Sequence, residues 1–239
     1  MKGLIVAIQF LTRLPAPRIA VGPDEFAKSI RWFPAVGVII GLAVAAGGWA
    51  GGRIDPWIGA IVALVLWVLI TGALHLDGLA DIADASGAAH QDRERLLAAL
   101  ADPHVGSFGV TAIALQLLAK LALLHAALDH GLFTALVGIP FAARIGPLVW
   151  TCWLPSLHEG LGARFRRAIR PLDLILSAGA LLLAAWFAPT LLAILAFIPL
   201  WGWWVMRRIG GISGDGLGAG IELAETTLLF ALVFGAGRS

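Results

Sequence analysis

Long apolar runs separated by short polar segments are the main feature of this chain. A helix needs about 20 residues to cross a hydrocarbon layer of ~30 Å, and seven runs approach that length. They cover residues 33–51, 57–76, 108–128, 132–154, 172–187, 190–206 and 217–235. Only Ala188 and Pro189 separate the fifth run from the sixth, so the count lies between six and eight. The pattern predicts an all-α fold, a polytopic membrane helical bundle with about seven transmembrane helices.

The N-terminal apolar run, residues 4–11, is too short to span a bilayer. We predict a short helix there that lies at the membrane interface. The sequence shows no internal repeat, low-complexity tract or polar linker that would divide the chain. We therefore expect residues 1–239 to form a single integral-membrane domain.

The composition agrees with a membrane protein and excludes a soluble domain and a nucleic-acid-binding protein. Hydrophobic residues make up 59% of the 239 residues and charged residues 13%, whereas soluble domains have about 45–50% and about 25%. The formal net charge is only +2, and basic residues recur at the ends of apolar runs instead of forming one patch. We therefore expect the lipid bilayer as a partner, and no nucleic acid.

The distribution of basic residues predicts the orientation of the bundle. If the seven runs cross the membrane with the N-terminus inside, thirteen lysine and arginine residues fall in inside segments, and only Arg53 and Arg238 fall outside. Cytoplasmic loops are normally the ones rich in these residues. The bias therefore predicts that the long polar loops, including residues 77–107, lie on the cytoplasmic face.

Three aspartates, Asp77, Asp81 and Asp84, follow the second run at spacings of four and three residues. On a helix they fall within an arc of about 60° and form an acidic stripe. Such carboxylates repel one another unless a cation neutralises them, and Mg²⁺ suits a site that also binds phosphate groups. Gly78 would leave room for a phosphate group beside the backbone. The stripe predicts a magnesium site with these three aspartates as ligands.

Two features of this segment are open to more than one interpretation. The acidic stripe is also compatible with a solvated helix face that pairs with Arg93 or Arg95. His75 is a candidate general base by residue type, but on a continuous helix it projects away from the stripe. Either the helix breaks near His75, or His75 has a structural role.

Two glycine-containing segments would present backbone N–H groups to an anion at a helix N-terminus. The first, residues 102–109, includes His104 and Ser107 and precedes the third run. The second, residues 210–219, includes Asp215, which would cap the last helix or add a metal ligand.

Arg144 and Lys120 lie inside apolar runs. A charged side chain at mid-membrane costs at least ~2.5 kcal/mol, so each needs a polar partner. Glu222 and Glu225, early in the last run, are the candidate counter-ions.

Several motifs follow one another along the whole chain. They are Phe10-Leu-Thr12-Arg13-Leu-Pro15, Phe33-Pro34 with Gly37, His75-Leu-Asp77-Gly78-Leu-Ala-Asp81 with Asp84, Asp102 with Gly106 and Phe108-Gly109, Arg144, and Gly214-Asp215 with Gly218-Ala219 and Glu222. This ordered set resembles the cobalamin synthase family, the adenosylcobinamide-GDP ribazoletransferases. The acidic segment is its most specific motif, and the glycine-containing motifs add weight by their order.

The resemblance implies an enzyme that joins adenosylcobinamide-GDP to α-ribazole or its 5′-phosphate and releases GMP, late in cobalamin biosynthesis. The product would be adenosylcobalamin or its 5′-phosphate, and Mg²⁺ would be the cofactor. The acidic stripe would bind the metal and, with His75, form the catalytic set. The general base stays open between His75, His104 and a carboxylate. Residues implied in substrate binding are Arg13, Gly78, Asp102, His104, Ser107, Arg144 and Asp215.

The chain departs from the expected family pattern at two places. Ala85 follows Asp84 where glycine is usual, and Asp102-Pro-His104 replaces a more typical series of aspartate, serine and arginine. The second departure puts phosphate binding at this segment in doubt, or transfers it to another basic residue.

The resemblance and the charge bias together imply a multi-pass protein of the bacterial inner membrane with its active site on the cytoplasmic side. A CDP-alcohol phosphotransferase or a prenyltransferase with an aspartate-rich magnesium site is the nearest alternative. An ion-coupled transporter is a further one, although transporters commonly show repeated halves and charges near the midplane. Self-association and the choice between α-ribazole and its phosphate stay open.

Overall fold

A computed structural model describes residues 2–88, 93–157 and 161–237, and almost all of this part is helical. It contains thirteen α-helices and, besides one isolated bridge between Ser156 and Ile212, no β-structure. The helices are α1 (Lys2–Leu11), α2 (Pro23–Ala27), α3 (Phe33–Gly52), α4 (Pro56–Thr71), α5 (Leu74–Ala88), α6 (Arg93–Leu100), α7 (Ser107–Asp129), α8 (Gly138–Ala143), α9 (Gly146–Trp153), α10 (Leu161–Ala168), α11 (Pro171–Phe187), α12 (Ile194–Arg208) and α13 (Gly214–Ala236). Three 3₁₀ segments, Lys28–Trp32, Phe133–Val137 and Pro189–Ala193, precede α3, α8 and α12.

Within the described ranges, five helical stretches are long and apolar enough to cross a bilayer. They are Pro23–Gly52, Ser107–Asp129, Phe133–Trp153, Pro189–Arg208 and Gly214–Ala236. The bent pair α4 and α5 adds a sixth if it counts as one span, whereas α11 has only 17 residues. The predicted all-α membrane bundle is confirmed, with five to six spans where the apolar runs indicated about seven. The chain is a multi-pass membrane protein.

The outer surface of the bundle is apolar, as a lipid-facing surface requires. Large hydrophobic side chains stand exposed along α4, α7, α11 and α12; they include Ile61, Leu69, Leu118, Trp186 and Leu200. In water such a surface would be an aggregation site. In a bilayer it contacts acyl chains at no cost.

The predicted second span, residues 57–76, is wrong as a single helix. The chain leaves α4 at Thr71, and Gly72 and Ala73 adopt positive φ values of 61° and 58°. α5 then continues at 85° to α4. A Cβ atom at Gly72 would collide with the side chain of Arg13, so glycine is required there by both space and backbone conformation. Because of this turn, the helix that carries the acidic stripe runs almost perpendicular to α4.

α13 is the central element of the bundle and packs against α5, α7, α8, α9 and α12. Its closest approach is to α5. A Cβ atom at Gly78 would lie 2.9 Å from the Asp215 Cα atom, and one at Gly218 would lie 3.4 Å from the His75 Cα atom. Small residues therefore let these two backbones nearly touch, and they place Asp215 beside the acidic stripe.

The third of the five spans is interrupted in its middle. α8 ends at Ala143 and α9 begins at Gly146, so Arg144 lies at the break, where its amide bonds to the Pro140 and Phe141 carbonyls at 3.3 and 3.2 Å. Non-helical backbone at membrane depth is tolerated where it is buried in protein. The break turns the Arg144 side chain inward.

Candidate active site

The acidic stripe forms as predicted, and a fourth carboxylate joins it. Asp77, Asp81 and Asp84 all lie on α5, with Asp77 exposed and the other two half-buried. Asp215, in the first turn of α13, acts electrostatically on Asp81 more strongly than Asp77 or Asp84 does. Helix spacing indicated the first three, but only the packing of α13 on α5 brings in Asp215.

Asp84 is engaged by the protein itself. Its two carboxylate oxygens accept hydrogen bonds from the backbone N–H groups of Gly106 and Gly109, at 2.7 and 2.8 Å. A Cβ atom at Gly106 would lie 2.5 Å from Asp84 Oδ1, so the glycine lets the carboxylate approach. We predicted that these N–H groups bind a substrate anion, but the anion at this helix N-terminus is Asp84.

These bonds bear on the predicted magnesium site. In the part of the chain that the structure describes, no three His, Cys, Asp or Glu side chains converge closely enough to hold a metal ion by themselves. Mg²⁺ commonly takes one or two carboxylates, with waters and substrate phosphates as its other ligands. That smaller donor set needs only one or two of the carboxylates of Asp77, Asp81 and Asp215. A role for Asp84 as a ligand finds no support in its contacts, and metal binding stays a prediction.

Asp102, His104 and Ser107 lie together on an exposed segment before α7. The Asp102 carboxylate accepts from the His104 backbone N–H at 3.0 Å, and one of its oxygens lies 2.8 Å from His104 Nδ1. These bonds lower the pKa of the Asp102 carboxyl below its usual value. Ser107 opens α7, with its hydroxyl side exposed. Substrate binding by the three residues stays a prediction.

The predictions that Gly78 leaves room for a phosphate group and that Asp215 caps α13 are wrong. Gly78 does not leave open space for a phosphate, because the backbone of Asp215 occupies that space. Asp215 does not cap α13: Ser213 is the N-cap residue, and its hydroxyl accepts from the Gly216 N–H at 3.0 Å. The first correction comes from the α5–α13 contact, whereas the second comes from the local geometry at the start of α13.

Arg144 is fully buried in a network of charged side chains. It donates to Glu225 Oε1 at 2.8 Å and to the Pro140 carbonyl at 3.0 Å, and its Nη2 lies 3.4 Å from His75 Nδ1. Because α5 is continuous through His75 and the acidic stripe, His75 projects away from the stripe and contacts Arg144, so the second of the two alternatives holds. Arg144 is buried by these contacts and cannot reach a substrate. They therefore do not support its predicted role in substrate binding.

Lys120 completes this network. Its Nζ lies 2.6 Å from an oxygen of both Glu222 and Glu225 and 4.5 Å from the ring centre of Trp67. The predicted counter-ions are thereby confirmed. Two cations and two anions balance one another, which removes the cost of unpaired charge in the membrane.

Arg13 is exposed and lies across the turn between α4 and α5. Its backbone N–H donates to the Ile70 carbonyl at 2.7 Å, and its side chain covers Gly72. The guanidinium thus stands at the start of the helix that carries the acidic stripe. Anion binding there stays a prediction that this position favours.

Sequence reasoning missed an aromatic cluster beside the carboxylates. Four rings contact one another in a closed circle: Phe10 with Phe26 at 5.1 Å, Phe26 with Phe165 at 6.0 Å, Phe165 with Phe33 at 6.1 Å, and Phe33 with Phe10 at 6.0 Å between centroids. Phe10 and Phe33 belong to the quoted motifs. Phe165 comes from α10, far along the chain, and no spacing rule connects it to them.

Comparisons with known proteins agree with the site. Residues 3–233 match the cobalamin-5-phosphate synthase family. Adenosylcobinamide-GDP ribazoletransferase of Novosphingobium aromaticivorans is 64% identical over 236 residues, which cover 97% of this chain and 96% of the relative. The enzyme of the same name from Thiobacillus denitrificans is 51% identical and covers 96% and 94% of the two chains. No solved structure matches. The resemblance seen in the motifs is confirmed, and this chain belongs to the cobalamin-5-phosphate synthase family.

Proposed function

We propose that this chain joins adenosylcobinamide-GDP to α-ribazole or its 5′-phosphate and releases GMP; its relatives are named adenosylcobinamide-GDP ribazoletransferase. The observation that carries the proposal is the gathering of carboxylates from two helices: Asp77 and Asp215 line one cavity, and Asp81 lies beside them. A diphosphate is negatively charged, and this charge must be neutralised before an oxygen nucleophile can approach. Carboxylates that gather a divalent cation supply that condition.

The proposed reaction is a phosphoryl-group transfer. A ribose hydroxyl of α-ribazole attacks the phosphorus bonded to the cobinamide side, the bond from that phosphorus to the oxygen bridging to GMP breaks, and GMP leaves with the electron pair. The hydroxyl proton passes to a carboxylate of the cluster. Asp77, Asp81 and Asp215 would hold Mg²⁺, which would neutralise charge on the diphosphate when bound.

We place the active site at the cytoplasmic face of a bacterial inner membrane. The bias of basic residues supports this orientation, because most lysines and arginines fall in segments predicted to lie on the same side of the membrane as the acidic stripe. A nucleotide substrate also comes from the cytosol. Protease accessibility of the exposed segment 101–105 in inside-out vesicles, with none in right-side-out vesicles, is the expected result.

Asp81→Asn tests the proposed function directly. Purified protein with Mg²⁺, adenosylcobinamide-GDP and α-ribazole 5′-phosphate should release GMP, and the variant should lose at least about a thousandfold in rate, since electrostatic groups of this kind contribute about that much. GMP is measured by chromatography of the quenched reaction. Removal of Mg²⁺ with EDTA should have the same effect as the substitution.

Asp129→Asn is the matched control, because Asp129 is exposed at the C-terminal end of α7. It should keep wild-type activity. Full activity of Asp81→Asn, or no GMP from the wild type, would contradict the proposal. Accumulation of a solute in vesicles without GMP release would favour the transporter alternative.

A further inference from the structure

α10 presents a basic face to the outside of the bundle. Phe165 and Ala168 lie one turn apart on this helix and belong to the buried core, and the helix packs against α2, α9 and the 3₁₀ segment before α3. Arg166 and Arg167 project away from these two residues and are exposed. α10 is therefore an amphipathic helix with an apolar face on the protein and an arginine face outside.

Arg166 and Arg167 differ from the neighbouring arginines because they have no counter-ion. The arginines at either end of residues 164–170 are paired, the first with Asp24 at 3.3 Å and the last with Asp173 at 3.1 Å. Neither Arg166 nor Arg167 forms an ion pair with any residue that the structure describes. Two positive charges on this face are thus available to an anion from outside the protein.

The arginine face of α10 borders the lipid-facing surface of the bundle. α11 begins three residues after the end of α10, and Leu172, Ile175 and Leu176 in its first turns are each more than half exposed. Trp153, at the end of the neighbouring α9, is also more than half exposed, and exposed tryptophan is typical of the membrane–water interface. The arginine face therefore lies at the edge of the apolar surface, at the depth of the lipid headgroups.

This combination of charge and apolar surface matches an anionic phospholipid. Its phosphate group can accept charge-assisted hydrogen bonds from both guanidinium groups, while its acyl chains contact the exposed side chains of α11. A zwitterionic lipid carries a cation next to its phosphate, so it gains less from two arginines without counter-ions. A soluble phosphate gains nothing from the apolar neighbours.

We propose that Arg166 and Arg167 form a binding surface for the headgroup of an anionic phospholipid, whose acyl chains lie along the first turns of α11. Basic residues on an amphipathic helix at the membrane interface attract anionic lipids by charge, and the apolar face fixes the depth of the helix. The surface is separate from the proposed catalytic groups and does not depend on the proposed reaction.

α10 also connects this surface to the candidate active site. Phe165, on the inner face of α10, contacts Phe33 at 6.1 Å between ring centroids. Both residues belong to the lining of the cavity that contains Asp77 and Asp215. A lipid that holds α10 against the bundle therefore stabilises the end of the bundle that carries the site.

Native mass spectrometry tests the lipid surface without turnover. Protein purified in detergent is titrated with dioleoyl phosphatidylglycerol and, in parallel, with dioleoyl phosphatidylcholine, and the Kd of the first bound lipid is measured for each. The wild type should prefer phosphatidylglycerol. In Arg166→Gln/Arg167→Gln this preference should fall at least about tenfold, since each basic residue near an anionic lipid contributes about fivefold. Arg166→Lys/Arg167→Lys keeps both charges and should keep most of the preference.

Arg207→Gln/Arg208→Gln is the matched control, because it removes the same charge from another adjacent pair, at the C-terminal end of α12. These two arginines have partners in the protein: Arg207 lies over the ring of Trp203 at 5.2 Å, and Arg208 donates to the Ser86 carbonyl at 3.4 Å. The control should keep the lipid preference of the wild type. An equal loss of preference in the control would show that only net charge matters, and would overturn the proposal.

Thermal unfolding in detergent micelles separates a lipid surface from a general anion site. Phosphatidylglycerol should raise the unfolding temperature of the wild type but not that of Arg166→Gln/Arg167→Gln. Inorganic phosphate and GDP should act equally on the two proteins. Equal binding of both lipids by the wild type, or loss of a response to phosphate or GDP in the variant, contradicts the lipid surface. All these results are obtained without GMP release, so a failure of the proposed function leaves them unaffected.

Discussion

Asp81 and Asp84 lie three residues apart on α5 and have different partners. Asp81 stands among the other carboxylates of the site, whereas both oxygens of Asp84 accept backbone N–H groups of the α7 N-terminus. Residue type and helix are the same for both. The difference arises because the segment before α7 folds back onto one end of the stripe, so Asp84 has a structural role that Asp81 lacks.

Asp84→Ala should destabilise the protein by about 1–2 kcal/mol, because it removes the acceptors of two N–H groups at a helix N-terminus. Asp84→Asn retains one acceptor and should recover about half of this loss. Thermal unfolding in detergent micelles measures both. A stable Asp84→Ala variant whose unfolding temperature no longer rises with Mg²⁺ would instead identify Asp84 as a metal ligand.

The contact between α5 and α13 shows how two helices build the site. Gly78 allows the backbone of Asp215 to approach α5, and this approach brings the fourth carboxylate to Asp81. The proposed cation site draws on both helices, because α5 supplies Asp77 and Asp81 and α13 supplies Asp215. The activity should therefore depend on the distance between the helices.

Gly78→Ala tests this dependence. The added Cβ atom would lie 2.9 Å from the Asp215 Cα atom, so the helices must separate, at a cost of about 1–3 kcal/mol, and GMP release should fall at least about tenfold. Gly179→Ala on α11 is the matched control, because nothing lies within 4 Å of its added atom. That control should keep full activity and unfold at the same or a slightly higher temperature. An active Gly78→Ala variant would contradict the packing argument.

The buried ionic network connects the parts of the bundle to the site. Lys120 from α7 and Arg144 from the α8–α9 break both pair with Glu225 on α13, and Arg144 also contacts His75 on α5. Its charges balance only when all these elements are in place. The network therefore stabilises one arrangement of the bundle, and with it the position of His75.

A double-mutant cycle on Lys120 and Glu222 tests the balance of charge. Lys120→Met or Glu222→Gln alone leaves an excess buried charge and should destabilise the protein by about 3–5 kcal/mol. The double variant restores neutrality, and its loss should be clearly smaller than the sum of the two. Denaturant unfolding in micelles gives the three values. Strict additivity would show that the two side chains do not act as a pair.

Local patterns were sufficient for several of these features, and each has a short-range cause. Apolar runs predicted the helices, because a bilayer requires about 20 apolar residues per crossing. The spacing of Asp77, Asp81 and Asp84 predicted one acidic face, since helix geometry depends on neighbours only. The need of Lys120 and Arg144 for counter-ions followed from the cost of charge in lipid, and the structure confirms Glu222 and Glu225.

The amino-acid sequence by itself thus determined the all-α membrane bundle, the acidic stripe and the kind of partners that buried charges require, but not where each span begins, bends and ends. Only the tertiary structure decided that Asp84 caps α7, that Asp215 joins the stripe, and that Phe165 meets Phe10 and Phe33. It also decided the contact of His75 with Arg144, which lies 69 residues away along the chain. The physical reason is range: helix periodicity and hydrophobicity act within a few residues, whereas these contacts depend on which helices the folded bundle brings together.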